Sequence, residues 1–191
     1  VGCTGQGRTG GQLGLAVHHL VFGHEGGVVH RAGQVGGLRQ VPAERGQAVG
    51  GAHQGAGPGV EQGLRGLEVS AHFFITRAGV LWQFVDCDQR AWHAGVSRYR
   101  GRERCNDDSV GIELEGLEGQ TFTPAQYTAL VRLSQDLAAR YPITHIAGHE
   151  HIAPGRKQDP GPGFQWRRLQ QALGWEVARF PAPDRSEDQK T

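Results

Sequence analysis

The composition breaks near residue 66, and that break limits how much of the chain can build a core. Residues 1–66 hold 20 of the 31 glycines and contain no Asp, Asn, Ser, Lys, Ile, Trp or Tyr, whereas all seven types appear from Leu67 onwards. The upstream segment has no sustained helical or alternating period, apart from short apolar pieces such as Leu13 to Val17 and Val28-Val29. Gly-rich sequence of this kind reads as a flexible extension. A sharper reading also fits, because an out-of-frame translation of GC-rich DNA favours Gly, Ala, Arg, Val and Gln, and these residues dominate here. The expected organisation is an anomalous segment over 1–66, a folded domain over 67–180 and a disordered tail over 181–191.

Within the folded part, Glu68 to Arg77 reads as a strand, Ala78-Gly79 as a turn and Val80 to Val85 as the hairpin partner. Ser109 to Gly116 reads as a third strand, in which Val110, Ile112 and Leu114 alternate with Gly111, Glu113 and Glu115. That alternation puts both carboxylates on the face opposite the apolar one. Thr123 and Gln126 form a capping box, with Pro124 at the first helical position. The helix they start presents Tyr127, Leu130, Val131, Leu137, Ala138 and Tyr141 on one side and ends before Pro142. Phe164 to Leu173 makes a shorter helix stopped at Gly174. Strands and helices together predict an α/β (α+β) sheet with helices packed on it.

A chain of 191 residues suits one core, and no apolar run approaches the length of a membrane span. The first twelve residues lack the charged-then-apolar order of a secretory signal. A net charge of +1 gives no steering towards nucleic acid or anionic membrane. Cys3, Cys87 and Cys105 are an odd count without C-x-x-C spacing, which argues against a disulfide framework and a cysteine zinc site. A reducing cytoplasm is the expected compartment, and a monomer the expected state.

The richest chemistry lies between Ala147 and Gly163, where an imidazole, an ammonium and a carboxylate fall within eleven residues of a Gly- and Pro-rich loop. His149 ends the apolar run from Pro142, so a short strand carries it to its tip. Asp159 precedes Pro160, which biases its backbone towards extended geometry. Zinc accepts imidazole nitrogen and carboxylate oxygen at similar short distances, so the two residues suit one metal. Lys157 then stands beside that metal as a fixed positive charge. Taken alone, the spacing also suits an ordinary solvated loop. Glu113, on the polar strand face, is placed as a general base should be. Trp92 and His93 form a polar-aromatic cluster, and Arg102 and Arg104 are candidates to clamp a carboxylate bidentately.

Five stretches in order, Val69 to Ile75, Cys87 to Ser97, Gly101 to Asp107, Val110 to Gly116 and Gly148 to Gly163, closely resemble one family. It is the zinc-dependent N-acetylmuramoyl-L-alanine amidases related to phage T7 lysozyme and peptidoglycan-recognition proteins, and in particular their cytoplasmic branch acting on 1,6-anhydromuropeptides. The likeness runs from about residue 67 to 170. It implies that family's fold, a central mixed β-sheet flanked by helices. It also implies zinc (Zn2+) on His149 and Asp159, Glu113 as catalytic base, and Lys157 stabilising the transition state. Trp92, His93 and Arg104 are implied to line the cleft for a small muropeptide, with neither nucleic acid nor membrane as partner. The bond cut would be the amide between the lactyl group of anhydro-N-acetylmuramic acid and L-alanine.

The chain departs from the family at one point. The family's first zinc ligand is a histidine ending an N-terminal strand and followed by Asn, and no His-Asn pair exists here. His30 lies at about the expected distance before His72, and His18 has the better strand before it, so the third ligand stays open. Without one, a non-catalytic muropeptide-binding protein, or the inactive product of a damaged gene, is the competing expectation. No nucleophilic Ser or Cys is required, and Cys105 has no evident partner.

Overall fold

The computed structural model describes residues 17–24, 31–32, 39–41, 71–117 and 119–182. Glu68 to Ser70, at the start of the expected first strand, and the tail from Pro183 lie outside them.

The hairpin forms where the turn chemistry demands it. β4 (Phe73–Ile75) and β5 (Leu81–Gln83) pair antiparallel, with Phe74 opposite Trp82. Between them Gly79 takes φ 80°, a conformation that suits glycine, and a Cβ there would meet the Ala125 carbonyl at 2.8 Å. β9 (Ser109–Glu115) runs parallel to β4. Its alternation holds on the core side, where Val110, Ile112 and Leu114 pack with Leu130, Leu133, Leu137 and Ile146. The opposite side departs from a solvent-facing polar row, since Gly111 and Glu113 are buried as well. Both faces of β9 are covered, as expected for a strand in the middle of a layered α/β sheet.

The interior slot beside β9 is filled from the anomalous segment. β1 (Val17–His24) lies between β9 and β10 (Ile143–Gly148), antiparallel to both. Sequence patterning gave no sign of an interior strand here, because Val-His-His-Leu-Val-Phe-Gly-His has no clean period of two. Its position rests on its neighbours: Leu20 joins the main core, and Val21 packs with Ala147 and Ala94 on the other face. β3 (Arg39–Val41) pairs on the far side of β5, completing a six-stranded mixed sheet in the order β10-β1-β9-β4-β5-β3. β2 (Arg31–Ala32) pairs with β6 (Gln89–Arg90), and β7 (Arg98–Tyr99) with β8 (Arg102–Glu103).

α1 (Pro124–Arg140) begins at the predicted capping box. Thr123 Oγ1 accepts the Gln126 N–H at 3.1 Å, and Gln126 Oε1 accepts the Thr123 N–H at 3.0 Å. Tyr127, Leu130, Leu133 and Leu137 are its buried face, while Val131, Ala138 and Tyr141 pack at the margin. A one-turn helix α2 (His149–Ile152) follows β10 directly, and α3 (Trp166–Leu173) ends at Gly174 with φ 65°. No described helix is long and apolar enough to cross a membrane.

Candidate active site

The site is built on the strand-to-helix junction after β10. His149 is the first residue of α2 and is buried. The turn is locked from two directions: the Gly148 N–H donates to His151 Nδ1 at 3.1 Å, and the Glu150 N–H donates to the Asp159 carbonyl at 2.8 Å. A Cβ at Gly148 would lie 2.4 Å from Pro160 Cδ, so only glycine lets the Asp159-Pro160 loop close this tightly.

That closure brings His149 Nδ1 to 3.4 Å from Asp159 Oδ2. On its other side His149 Nε2 lies 3.2 Å from the Ala94 carbonyl, which can only accept. Nε2 therefore carries the ring proton, and in a neutral ring Nδ1 presents its lone pair towards the carboxylate. A charge-assisted hydrogen bond between the two would be shorter, about 2.7–2.9 Å. Two donors each about 2.0–2.1 Å from a tetrahedral zinc stand roughly 3.3–3.4 Å apart. The separation, and the tautomer that the Ala94 carbonyl favours, would suit a shared metal, with that carbonyl as the partner that metal-bound histidines ordinarily have on their other nitrogen.

Glu113 sits on β9 and is 2% exposed. The β1 register connects it to the His149–Asp159 pair: Leu20 is opposite Ile112 on one side and Gly148 on the other. Glu113 and His149, one residue beyond each, flank the same point of β1 from its two neighbouring strands. At 4.7–4.9 Å per strand their backbones are roughly 10 Å apart. Position 19 is the register partner of Glu113, and position 18 that of Leu114. His30 lies outside the described residues. Glu115 is committed elsewhere, its Oε2 accepting the Arg77 N–H at 2.7 Å. Lys157 is exposed, two residues before Asp159, with its N–H on the Ala153 carbonyl.

The segment from Trp92 to Ser97 forms the wall beside the His149–Asp159 pair. Asn106, 3% exposed, accepts the N–H groups of His93 and Ala94 on its Oδ1, at 3.0 and 2.7 Å. This fixes the position of His93 and of the peptide that leads into Ala94. His93 is buried and is not among the residues that border the cavity described below. Its ring lies over Gly111, where a Cβ would be 2.2 Å from His93 Cγ, and Nε2 is 3.4 Å from Ser109 Oγ. His72, also buried, accepts the Gly111 N–H at 3.0 Å and contacts the His93 ring edge-on. These two histidines hold the backbone of β9 just ahead of Glu113.

A cavity of about 730 Å³ opens in front of this wall, bordered by Trp92, Val96, Arg98, Arg104, Asn106 and Arg156. Trp92 is 66% exposed and stacks on the Arg90 guanidinium at 3.6 Å. Asp107 holds Arg90 and Arg104 together, through one oxygen each at 2.6 and 2.9 Å. Arg104 takes φ 59°, which turns it onto the cavity wall. Arg102 pairs instead with Asp108 at 2.5 Å, so the two arginines do not form one clamp. Glu113, Lys157, His149 and Asp159 do not border the cavity, and Ala94, whose carbonyl meets His149, is followed by the bordering Gly95.

Asn106, Ala94 and Arg156 went unassigned in the sequence. Asn106 alone carried a signal, since a buried Asn serving two backbone N–H groups is common where a loop must be fixed. A backbone carbonyl leaves no trace in composition.

The chain matches the family model described as N-acetylmuramoyl-L-alanine amidase over residues 16–162. It is 53% identical over 109 residues to the 1,6-anhydro-N-acetylmuramyl-L-alanine amidase AmpD of Citrobacter freundii, a match covering 56% of this chain and 58% of that protein. The match therefore spans little more than half of that relative's length. Among solved structures, a selenomethionine AmpD crystal structure superposes with TM-score 0.54 at 50% identity, covering 60% of this chain and 65% of the other. The Escherichia coli amidase AmiD, bound to anhydro-N-acetylmuramic acid-L-Ala-D-gamma-Glu-L-Lys, superposes with TM-score 0.50 at 37% identity, covering 60% and 51%.

Proposed function

The chain belongs to the N-acetylmuramoyl-L-alanine amidase family, and from that premise we propose that it hydrolyses the amide between (1,6-anhydro-)N-acetylmuramic acid and L-alanine in small muropeptides. The pairing of His149 Nδ1 with Asp159 Oδ2 at 3.4 Å carries the proposal, because it suits a hydrolytic zinc and suits a direct hydrogen bond poorly. In the reaction a C–O bond forms at the lactyl carbonyl and the C–N bond to alanine breaks, leaving a carboxylate and a free amine. When bound, zinc supplies Lewis-acid polarisation and lowers the pKa of water towards about 7. His149 and Asp159 hold it, with Ala94 fixing the imidazole tautomer. Glu113 accepts the proton of the attacking water and returns it to the departing amine. Lys157 faces the developing oxyanion, a contact worth roughly 3–4 kcal/mol when such a preorganised donor is lost. Trp92 and Arg104 border the cavity beside this site, which takes a part of the muropeptide remote from the scissile amide, and His93 supports that wall from behind.

For the third protein ligand the β1 register supports position 19 over position 18. The row Ala147, Val21, Gly111 crosses three strands, and two residues further along stand His149, position 19 and Glu113. The absence of the family's His-Asn pair favours a second reading, a muropeptide-binding protein that does not cleave. Cell-wall recycling in the cytoplasm is the setting in which an anhydromuropeptide amidase acts.

Variants separate the roles. Glu113→Gln and Lys157→Ala should lose turnover on the order of 10²-fold or more while keeping their zinc. His149→Ala should lose the metal. Near-normal turnover of Glu113→Gln would remove Glu113 as the base.

A further inference from the structure

We propose that Arg156 is a positioning residue for the metal site, acting through the backbone of the cavity wall. The inference rests on the zinc reading above. Arg156 Nη2 donates to the Ala94 carbonyl at 2.8 Å and to the Val96 carbonyl at 2.7 Å. Ala94 is also the acceptor for His149 Nε2 at 3.2 Å, so one carbonyl oxygen is shared by the guanidinium and the imidazole. A carbonyl has two lone pairs and serves both donors at once. Its direction is then set by Arg156 on the oxygen and by the packing of Ala94 itself, which is fully buried, while Asn106 fixes the preceding peptide through the Ala94 N–H.

Gly95 lies between the two clamped carbonyls with φ 59°, and a Cβ there would stand 3.4 Å from Arg156 Nη2. The loop is therefore shaped to receive a guanidinium across its tight bend. Arg156 is itself anchored, because its N–H and that of Lys157 both bond the Ala153 carbonyl, at 3.1 and 3.0 Å. It also borders the cavity, so the residue that orients the His149 acceptor touches the space in which a ligand would lie. A ligand that displaces the guanidinium would loosen the metal, and one that buries it would tighten the metal. Both contacts leave one nitrogen, so a lysine ammonium keeps the donors but, on a shorter stem, meets the two carbonyls less closely.

The test is zinc affinity, measured by competition with a chromophoric chelator on the full chain, alongside thermal unfolding of the metal-free protein. Arg156→Ala should weaken zinc by about tenfold or more, in the range seen for loss of an outer-shell partner. Its metal-free unfolding temperature should stay near that of the parent. Arg156→Lys should recover part of the affinity. With cobalt in place of zinc, the visible spectrum of Arg156→Ala should shift, reporting altered ligand geometry. Parent-like affinity and spectrum in Arg156→Ala, with zinc bound by the parent, would overturn this inference alone. A parent that binds no zinc would overturn the zinc reading along with it. Equal losses of affinity and metal-free stability would make Arg156 a structural residue only, and the inference would fall.

Discussion

Asn106→Ala is the substitution on which the wall of the site is best tested. Asn106 lies 3% exposed, and its Oδ1 is the acceptor for two backbone donors, His93 N–H at 3.0 Å and Ala94 N–H at 2.7 Å. Alanine leaves both without that acceptor. Each buried donor left unsatisfied costs about 1–3 kcal/mol. Water entering the small polar void recovers part of this. The expected net loss is roughly 2–5 kcal/mol, a large share of a typical stability of about 5–15 kcal/mol. At about 2–4 °C per kcal/mol for a chain of this size, the unfolding midpoint should fall by roughly 5–20 °C. The damage should also reach the metal, because loosening the peptide before Ala94 lets the residue whose carbonyl meets His149 Nε2 shift. Urea unfolding followed by tryptophan fluorescence, with zinc affinity measured in parallel, reads both effects. A loss below about 0.5 kcal/mol would refute the bonding argument. A large loss of stability with unchanged zinc affinity would refute the link through Ala94.

The remaining expectations concern the thiols and the anomalous segment. Burial, reinforced by Asp86 and Asp88, pushes the Cys87 thiol up to about 12, and burial likewise raises Cys105. Iodoacetamide at pH 8 should leave both unmodified in the folded protein, as peptide mapping would read, and rapid modification of either would contradict their buried state. Because the fold disfavours the Cys87 thiolate, its contribution is intact below the ordinary cysteine pKa of 9.0 and is lost as pH rises towards about 12. Denaturation midpoints should fall over that window, and Cys87→Ala should flatten the fall. In the chain as written, His19→Ala should reduce zinc binding and His18→Ala should not, and the reverse result would refute the register argument. We also propose that residues 1–66 are an out-of-frame product. Resequencing their codons should yield an alternative frame with an apolar strand ending in His-Asn, whereas confirmation of the present frame with full activity would refute this.

Local chemistry was legible wherever the signal is itself local. Thr123 and Gln126 predicted the start of α1 because a reciprocal cap needs only two residues three apart. The hairpin and β9 were legible through turn residues and alternation. His149 and Asp159 were legible through their residue types, and their apposition followed from a loop whose tightness Gly148 permits. The interior strand β1 was not legible, because its place depends on pairing with β9 and β10 rather than on its own pattern. The burial of His93 was hidden for a similar reason. It is set by the absence of a side chain at Gly111, a residue distant in sequence. The shared Ala94 carbonyl is a backbone feature, and no side-chain pattern can announce it.

A zinc amidase works only with its metal, and peptide release from an anhydromuropeptide by the chain before and after chelation reads this directly. Release should stop when the metal is removed and return when zinc is restored, with zinc bound at one equivalent per chain. Undiminished hydrolysis by the metal-free protein would contradict the mechanism, and binding of muropeptide without any cleavage in the zinc-loaded protein would contradict the enzyme.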